Sequence, residues 1–300
     1  MSGNMSFFGR LRVEVRDALE LVLLPGLAAV LPWSVCFALF RHMAHWRWLY
    51  REGCAKALAQ AKKRGALRPA DEARWLHERR LVTLTEHADL YLSRWRGDDW
   101  MKHWLDVRGE WPAASTDPGV LCTFHYGAGM WGLRRAAHAR MRANALLAPP
   151  GGELLQGRSV LRRYAQARTR EMARALGRPV AEVGSSMRPA LRAFENGELA
   201  LAAVDAPADA ASSAIMQPSA QGLALLRLAV EFKAPVTVYT TLLDVKTGRR
   251  VLRIEQVDGG GNITSVEELT ARVFAHLERL MQRDTAAWHF WGGAQRSFLR

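Results

Sequence analysis

The chain has 300 residues, 49% of them hydrophobic and 24% charged, so it can bury a full core and is not a disordered segment. Its formal net charge of +13 favours an anionic partner, which could be nucleic acid, anionic lipid headgroups or an acidic carrier protein. The three cysteines lack C-x-x-C spacing and the nine histidines lack H-x-x-x-H pairs, so no disulfide framework, metal site or cofactor is predicted.

The first predicted element is the uncharged stretch Leu21–Phe40, which is long enough to span a bilayer core. Pro25, Gly26 and Pro32 would bend or break a simple helix, so a re-entrant or hairpin insertion fits as well as a full span. Arginines flank the stretch on both sides, as they do beside many membrane segments. Residues 1–50 are therefore predicted to form a hydrophobic membrane-anchoring segment, with a buried core helix as the alternative.

The next region, residues 51–110, is predicted to be helical and packed on the core, with a break at Gly65–Pro69. After the break, apolar residues from Trp75 to Trp95 recur at near-helical spacing. A tryptophan stripe of this kind is typical of packing against a core or a membrane surface, and not of a ligand site.

From residue 111 to residue 300, short apolar strands alternate with helices. The strands are predicted near 119–124, 144–148, 179–183, 199–204, 235–243 and 250–257, and the helices near 131–142, 157–176, 187–196, 218–232 and 266–283. The last two strands flank a Lys-Thr-Gly turn and are expected to form an antiparallel hairpin. The alternation predicts an α/β fold, with a largely parallel central sheet flanked by helices beside the N-terminal helical membrane-associated region.

The segment Val120–Gly132, VLCTFHYGAGMWG, carries the most specific chemical signal. His125 ends the apolar strand on a turn of small residues, where its ring can face a substrate. The glycines Gly127, Gly129 and Gly132 also spell G-x-G-x-x-G, which suggests a dinucleotide-binding oxidoreductase as an alternative. That alternative needs an acid at the end of a second strand about 20 residues on. Glu153 has the spacing but lies in a Pro-Gly-rich loop, and the lone motif is weak.

A second segment, Glu195–Val257, resembles the second half of the lysophospholipid-acyltransferase-like superfamily. An Asn-Gly turn leads to the strand Leu199–Asp205, and a loop of small residues leads to the Gly-started helix Gly222–Phe232. Ala-Pro-Val then opens a strand, and a hairpin follows. The resemblance is closest to the late acyltransferases of lipid A assembly, the lauroyl and myristoyl transferases, whose tryptophan-containing C-terminal segment has a counterpart in Trp288–Trp291.

That family's signature is a histidine followed five residues later by Asp or Glu, which the resemblance implies to be a general base and its orienting acid. His125 falls at the histidine position, but the acid position is occupied by Met130. Three explanations stay open. A carboxylate from elsewhere could serve, with Asp205 preferred because it ends a predicted strand. The histidine could act alone on a better nucleophile such as an amine, or catalysis could have been lost. For the first explanation, the other available carboxylates are Glu153 and Glu182.

The resemblance also implies phosphate or carrier contacts from arginines on the helix after the second strand. Arg170 and Arg174 lie one turn apart near the end of that helix and are the two carried over, although a solvated basic face is the alternative. The turn at Gly127 and Gly129 could let backbone N–H groups approach a tetrahedral oxyanion.

Together these features predict a membrane-associated acyltransferase on the cytoplasmic face of a bacterial inner membrane, with no nucleic-acid partner. It would move an acyl group from a thioester donor, acyl carrier protein or acyl-CoA, to a hydroxyl or amine of a lipid or glycolipid. The main alternative is a catalytically silent binding subunit of the same fold in lipid or pigment assembly. A carboxylate beside His125 would favour the enzyme, and a closed apolar pocket there would favour the binding subunit.

Overall fold

The computed structural model describes residues 7–112, 117–147, 155–182, 187–209, 212 and 214–292, and a seven-stranded sheet forms the centre of this part. The strands are β1 (Leu105–Arg108), β2 (Gly119–Thr123), β3 (Ala143–Leu147), β4 (Ala181–Glu182), β5 (Leu199–Ala203), β6 (Asp205–Pro207), β7 (Met216–Pro218), β8 (Val236–Leu243) and β9 (Arg250–Asp258). The order in the sheet is β1-β9-β8-β2-β5-β3-β4, while β6 and β7 form a separate antiparallel pair.

The five strands from β8 to β4 run parallel, and β9 runs antiparallel to β8 as the predicted hairpin. The central strand β2 is apolar and buried on both faces, as is typical of a parallel sheet covered by helices. The mixed α/β class with a mostly parallel sheet is therefore confirmed. Three strands were not predicted: the short antiparallel pair β6 and β7, and β1, which lies in the region expected to be helical yet pairs with β9 at the sheet edge.

Helices cover both faces of the sheet. In the described part of the chain the α-helices are α1 (Phe7–Asp17), α2 (Leu24–Val30), α3 (Trp33–Met43), α4 (Arg51–Lys63), α5 (Glu72–Trp95), α6 (Asp98–Trp104), α7 (Met130–His138), α8 (Ser159–Leu176), α9 (Arg188–Glu195), α10 (Ala220–Glu231) and α11 (Val266–Arg283). Ser219 and Ser265 cap α10 and α11, since each serine hydroxyl accepts a backbone N–H from the first turn.

Alternate residues of β2 enter two different hydrophobic cores. Val120 and Cys122 pack in the core that contains α9, α10 and α11. Leu121 faces the opposite core, where α3, α5 and α7 lie. Because side chains on both faces of β2 are buried, the position of the residues that follow this strand is well defined.

The uncharged stretch Leu21–Phe40 is not one helix. A π-helical turn covers Ala18–Leu23, and α2 ends where Leu31 takes an extended conformation before Pro32. Both α2 and α3 pack on α5, and in the described residues no helix is both long enough and apolar enough to cross a membrane. Phe37 and Phe40 belong to the core, whereas Val30 and Val35 are exposed.

Candidate active site

The site forms where two neighbouring parallel strands end. Strands β2 and β5 pair in register as far as Thr123 and Ala203, and the N–H of Val204 donates to the Thr123 carbonyl at 3.0 Å. Two residues beyond that register, His125 and Asp205 occupy matching positions. The carboxyl edge of a parallel sheet is where α/β enzymes place their sites.

A single carboxylate oxygen of Asp205 holds both the backbone and the ring of His125. Its Oδ1 accepts the backbone N–H of His125 at 2.9 Å and lies 2.9 Å from Nδ1 of the ring. Oδ2 accepts the indole N–H of Trp288 at 2.8 Å. Asp205, which the sequence analysis preferred over Glu153 and Glu182, is thus the carboxylate that lies against His125.

Asp205 is held in its ionised form. Its side chain is fully buried, which by itself would raise the pKa. The charge of His125 and the hydrogen bonds from His125 and Trp288 outweigh burial, so the pKa of Asp205 lies below its ordinary value. An ionised Asp205 accepts a hydrogen bond from Nδ1–H, and in this tautomer the lone pair of the imidazole lies on Nε2. The His125 side chain itself is 13% exposed.

The C-terminal segment, residues 287–292, packs against the turn that carries His125. It runs antiparallel to the turn after β2, with Tyr126 bridged to Trp288. The N–H of His289 donates to the His125 carbonyl at 2.8 Å, and the ring of Phe290 lies 4.0 Å from the His125 ring, centroid to centroid. Residues about 160 positions away in the sequence therefore orient the histidine.

Gly127 meets a conformational need at this turn. Its φ is +67°, and a Cβ here would lie 2.1 Å from the Thr241 carbonyl oxygen. Its N–H donates to the Ala287 carbonyl at 3.1 Å, and that of Ala128 donates to Thr241 at 2.8 Å. Both N–H groups already bind within the protein, and an oxyanion role for Gly127 stays a prediction. Gly129 stands at the start of α7.

Two other positions considered for the acid, Met130 and Glu182, do not form part of the site. Met130 is buried in the core at the start of α7. Glu182 is exposed on β4 at the sheet edge, where β3 and β5 separate it from β2. Glu153 lies outside the described residues.

A buried polar network lies next to the turn after β2, and it was not predicted from the sequence. His289 Nε2 lies 2.8 Å from the Gly127 carbonyl oxygen and 3.2 Å from Glu86 Oε2. Glu86 also binds Arg168, and these cationic partners outweigh its burial and lower its pKa to about 2. Next to it, the His87 ring hydrogen-bonds the Tyr164 hydroxyl at 2.7 Å. Since α5, α8 and the C-terminal segment meet only in three dimensions, no local spacing could reveal these contacts.

The two arginines singled out on α8 are both exposed. Arg174 binds Glu171 of its own helix at 2.5 Å and also donates to the Ser93 carbonyl, so it ties α8 to α5. Arg168, six residues before Arg174, is the helix arginine that reaches the network next to the site. A substrate or carrier role for Arg170 and Arg174 stays a prediction.

The geometry argues against the dinucleotide alternative. In that fold the strands before and after the glycine turn are neighbours, but here β5 lies between β2 and β3. A Cβ at Gly132 would lie 2.3 Å from the Tyr239 ring, so this glycine serves the packing of α7 on β8. The carbonyl of Gly127 is covered by His289.

Comparisons with known proteins give similarity to solved structures alone. No family model matches the chain, and no curated protein matches it. Among solved structures, the crystal structure of the 1-acyl-sn-glycerophosphate (LPA) acyltransferase PlsC from Thermotoga maritima is similar to this chain, with a TM-score of 0.39. The two share 14% identity over 84% of this chain and 98% of the other. At this level of similarity the comparison shows no activity for this chain.

Proposed function

We propose that the protein is an acyltransferase in which His125 is the general base and Asp205 its orienting acid. The observation that carries the proposal is the hydrogen bond between His125 Nδ1 and the buried, ionised Asp205. This pair restores the acid that the sequence lacks at Met130, from a different strand. A carboxylate hydrogen-bonded to His125 favours an enzyme over a catalytically silent binding subunit.

The chemistry follows from the tautomer that Asp205 imposes. Nε2 of His125 removes the proton from an acceptor hydroxyl, and the oxygen attacks the carbonyl carbon of a thioester. Asp205 stabilises the imidazolium that forms. When the tetrahedral intermediate collapses, the C–S bond breaks and the thiolate takes the proton from Nε2. An ester and a free thiol result, and the histidine returns to its neutral form.

The developing oxyanion needs donors near His125. With the N–H groups of Gly127 and Ala128 engaged elsewhere, the start of α7 at Gly129 is the remaining part of the predicted turn. A Cβ at Gly129 would have no neighbour within 4 Å, so a substrate could approach its backbone. The positive end of the α7 dipole favours negative charge at this point.

The thioester donor is proposed to be acyl carrier protein or acyl-CoA, and the acceptor a lipid or glycolipid. This substrate class, and the narrower likeness to late acyltransferases of lipid A assembly, depend on the resemblance of residues 195–257. We place the enzyme at the cytoplasmic face of a bacterial inner membrane, with residues 1–50 as its attachment. Exposed apolar residues on α1 and α2, among them Leu11, Val15 and Val30, support this attachment.

The test is acyl transfer from labelled acyl carrier protein, and separately from labelled acyl-CoA, into a total bacterial lipid extract. Wild type is compared with His125→Ala, Asp205→Asn and the control His138→Ala, a histidine on α7 that lies near Asp98. We expect label in one lipid class with wild type and with the control, and loss of label with the two site variants. Absence of transfer from both donors by folded protein in the presence of the extract would favour the silent binding subunit.

A further inference from the structure

A cavity lies away from His125, between α4, α5 and the segment that joins α3 to α4. Its volume is about 560 Å³, which falls within the range of small-ligand sites. Apolar residues and three arginines line it: Trp48, Cys54, Ala55, Leu58 and Leu76, with Arg47, Arg51 and Arg80. Neither member of the His125–Asp205 pair contributes to this wall.

Within the part of the chain that the structure describes, the three arginines have no anionic partner. The residues lining the cavity include no carboxylate, and none of the three arginines forms an ion pair with a described residue. Arg47 and Arg51 are exposed, and together with the buried Arg80 they place three positive charges around one cavity. Like charges brought together repel, so an anion bound among them would be stabilised.

Arg80 is the residue that points most clearly to a ligand. Its side chain lines the cavity although the residue is only 9% exposed. Within the described residues its Nε has no hydrogen-bond partner, and its Nη1 makes one long contact, 3.4 Å, with the Ala44 carbonyl. A buried guanidinium with so few acceptors is costly, because desolvation of its charge is not compensated. An acceptor from a bound molecule would supply what the protein does not.

The chemistry of the wall defines the ligand. One guanidinium group can donate two parallel hydrogen bonds to two terminal oxygens of a phosphate. A phosphate monoester has three such oxygens and nearly two negative charges. A carboxylate offers fewer of both. Beside the arginines, Leu58, Leu76 and Ala55 present a surface suited to an alkyl chain. We propose that this cavity binds a single-chain amphiphile with a phosphate monoester headgroup, independently of the acyl-transfer chemistry at His125.

The experiment is calorimetric titration of the full-length protein with dodecyl phosphate below its critical micelle concentration. Inorganic phosphate and uncharged dodecyl maltoside are titrated in parallel. The variants are Arg47→Gln/Arg51→Gln, which changes only exposed side chains, and Leu58→Gln; the matched control is Arg192→Gln, an exposed arginine on α9. His125→Ala is included to separate this site from the catalytic one.

We expect dodecyl phosphate to bind to wild type, Arg192→Gln and His125→Ala alike. The double arginine variant should weaken binding by about tenfold or more, because two charged donors to the phosphate headgroup are lost. Leu58→Gln should weaken dodecyl phosphate while leaving the weaker binding of inorganic phosphate unchanged. Equal affinity in wild type and the double arginine variant would overturn the proposal. So would dodecyl maltoside binding as well as dodecyl phosphate, or inorganic phosphate binding as tightly.

Discussion

At the scale of single residues, Trp288 is the third member of the site, because its indole N–H binds the Asp205 oxygen opposite His125. A hydrogen bond to the ionised form lowers a carboxyl pKa. The change Trp288→Phe removes this bond, so we expect kcat to fall by about tenfold with little change in KM. The pKa of Asp205 should rise, and the acidic limb of the pH–rate profile should move to higher pH.

The control for this change lies three residues further on. Trp291 is equally buried, and its indole donates to the Thr285 carbonyl at 2.6 Å rather than to the catalytic pair. Trp291→Phe should cost similar stability without moving the pH profile. If both variants lose activity equally and neither shifts the acidic limb, Trp288 acts only through packing.

His87 makes the stability of the protein depend on pH. Burial lowers the pKa of His87 to about 3, so the folded protein keeps this ring neutral while the unfolded chain, at its ordinary value of 6.5, takes up a proton. The unfolded state therefore binds more protons as pH falls from 6.5 towards 3, and stability decreases in that window. Between pH 7 and pH 5 this residue alone should remove about 2 kcal/mol from the free energy of unfolding.

The measurement is urea unfolding at pH 7 and pH 5. His87→Gln keeps an amide group that can bind the Tyr164 hydroxyl but cannot gain a charge in this range. The variant should lose clearly less stability between the two pH values than wild type. An identical pH dependence in both proteins would mean that other groups dominate this acid destabilisation.

At the scale of elements, a buried ion pair joins α3, α5 and β9. Arg250 is fully buried, binds Asp89 of α5 at 2.5 Å, and stacks 4.3 Å from the Trp33 ring of α3. Asp89→Leu would leave the guanidinium charge buried without its partner, so we expect a loss of about 3–5 kcal/mol in the free energy of unfolding. Arg250→Met should cost a similar amount because it strands the carboxylate.

The double variant decides whether the charge or the packing matters. Since replacing both partners by apolar residues leaves no unpaired charge, Asp89→Leu/Arg250→Met should be much more stable than the sum of the single losses predicts. Chemical unfolding of the four proteins gives this coupling directly. Additive losses would show that the guanidinium stabilises the fold through its stacking on the tryptophans.

The elements also show where sequence reasoning succeeds. Strand β2 carries a continuous apolar run, and β8 and β9 are rich in β-branched residues and flank a Lys-Thr-Gly turn, so their existence follows from local pattern. Asp205 could be preferred because a strand end defines one edge of a sheet. Strand β1 could not be predicted, because only part of its four-residue surface is buried and the segment becomes a strand only by pairing with β9. The roles of Glu86 and His289 depend on contacts between distant segments, which no local pattern contains.

At the scale of the whole molecule, the N-terminal region determines how the chain meets a membrane. On α1, Phe8, Leu11 and Val15 are 80%, 50% and 52% exposed and share one helix face. Arg10 and Arg12 lie on the same helix, so an apolar face and positive charge occur together, as in helices that lie at a lipid interface. Attachment through this face does not require a helix that spans the bilayer.

We therefore expect the protein to bind vesicles that contain phosphatidylglycerol, and this binding to weaken as salt is added. Leu11→Gln/Val15→Gln should reduce the partition coefficient by about tenfold or more, because two exposed apolar side chains no longer enter the interface. Val107→Gln changes an exposed valine on β1 and should bind like wild type. Vesicle co-sedimentation measures all three proteins. Unchanged binding by the α1 variant would place the attachment on another surface, and no binding by wild type would contradict the membrane location itself.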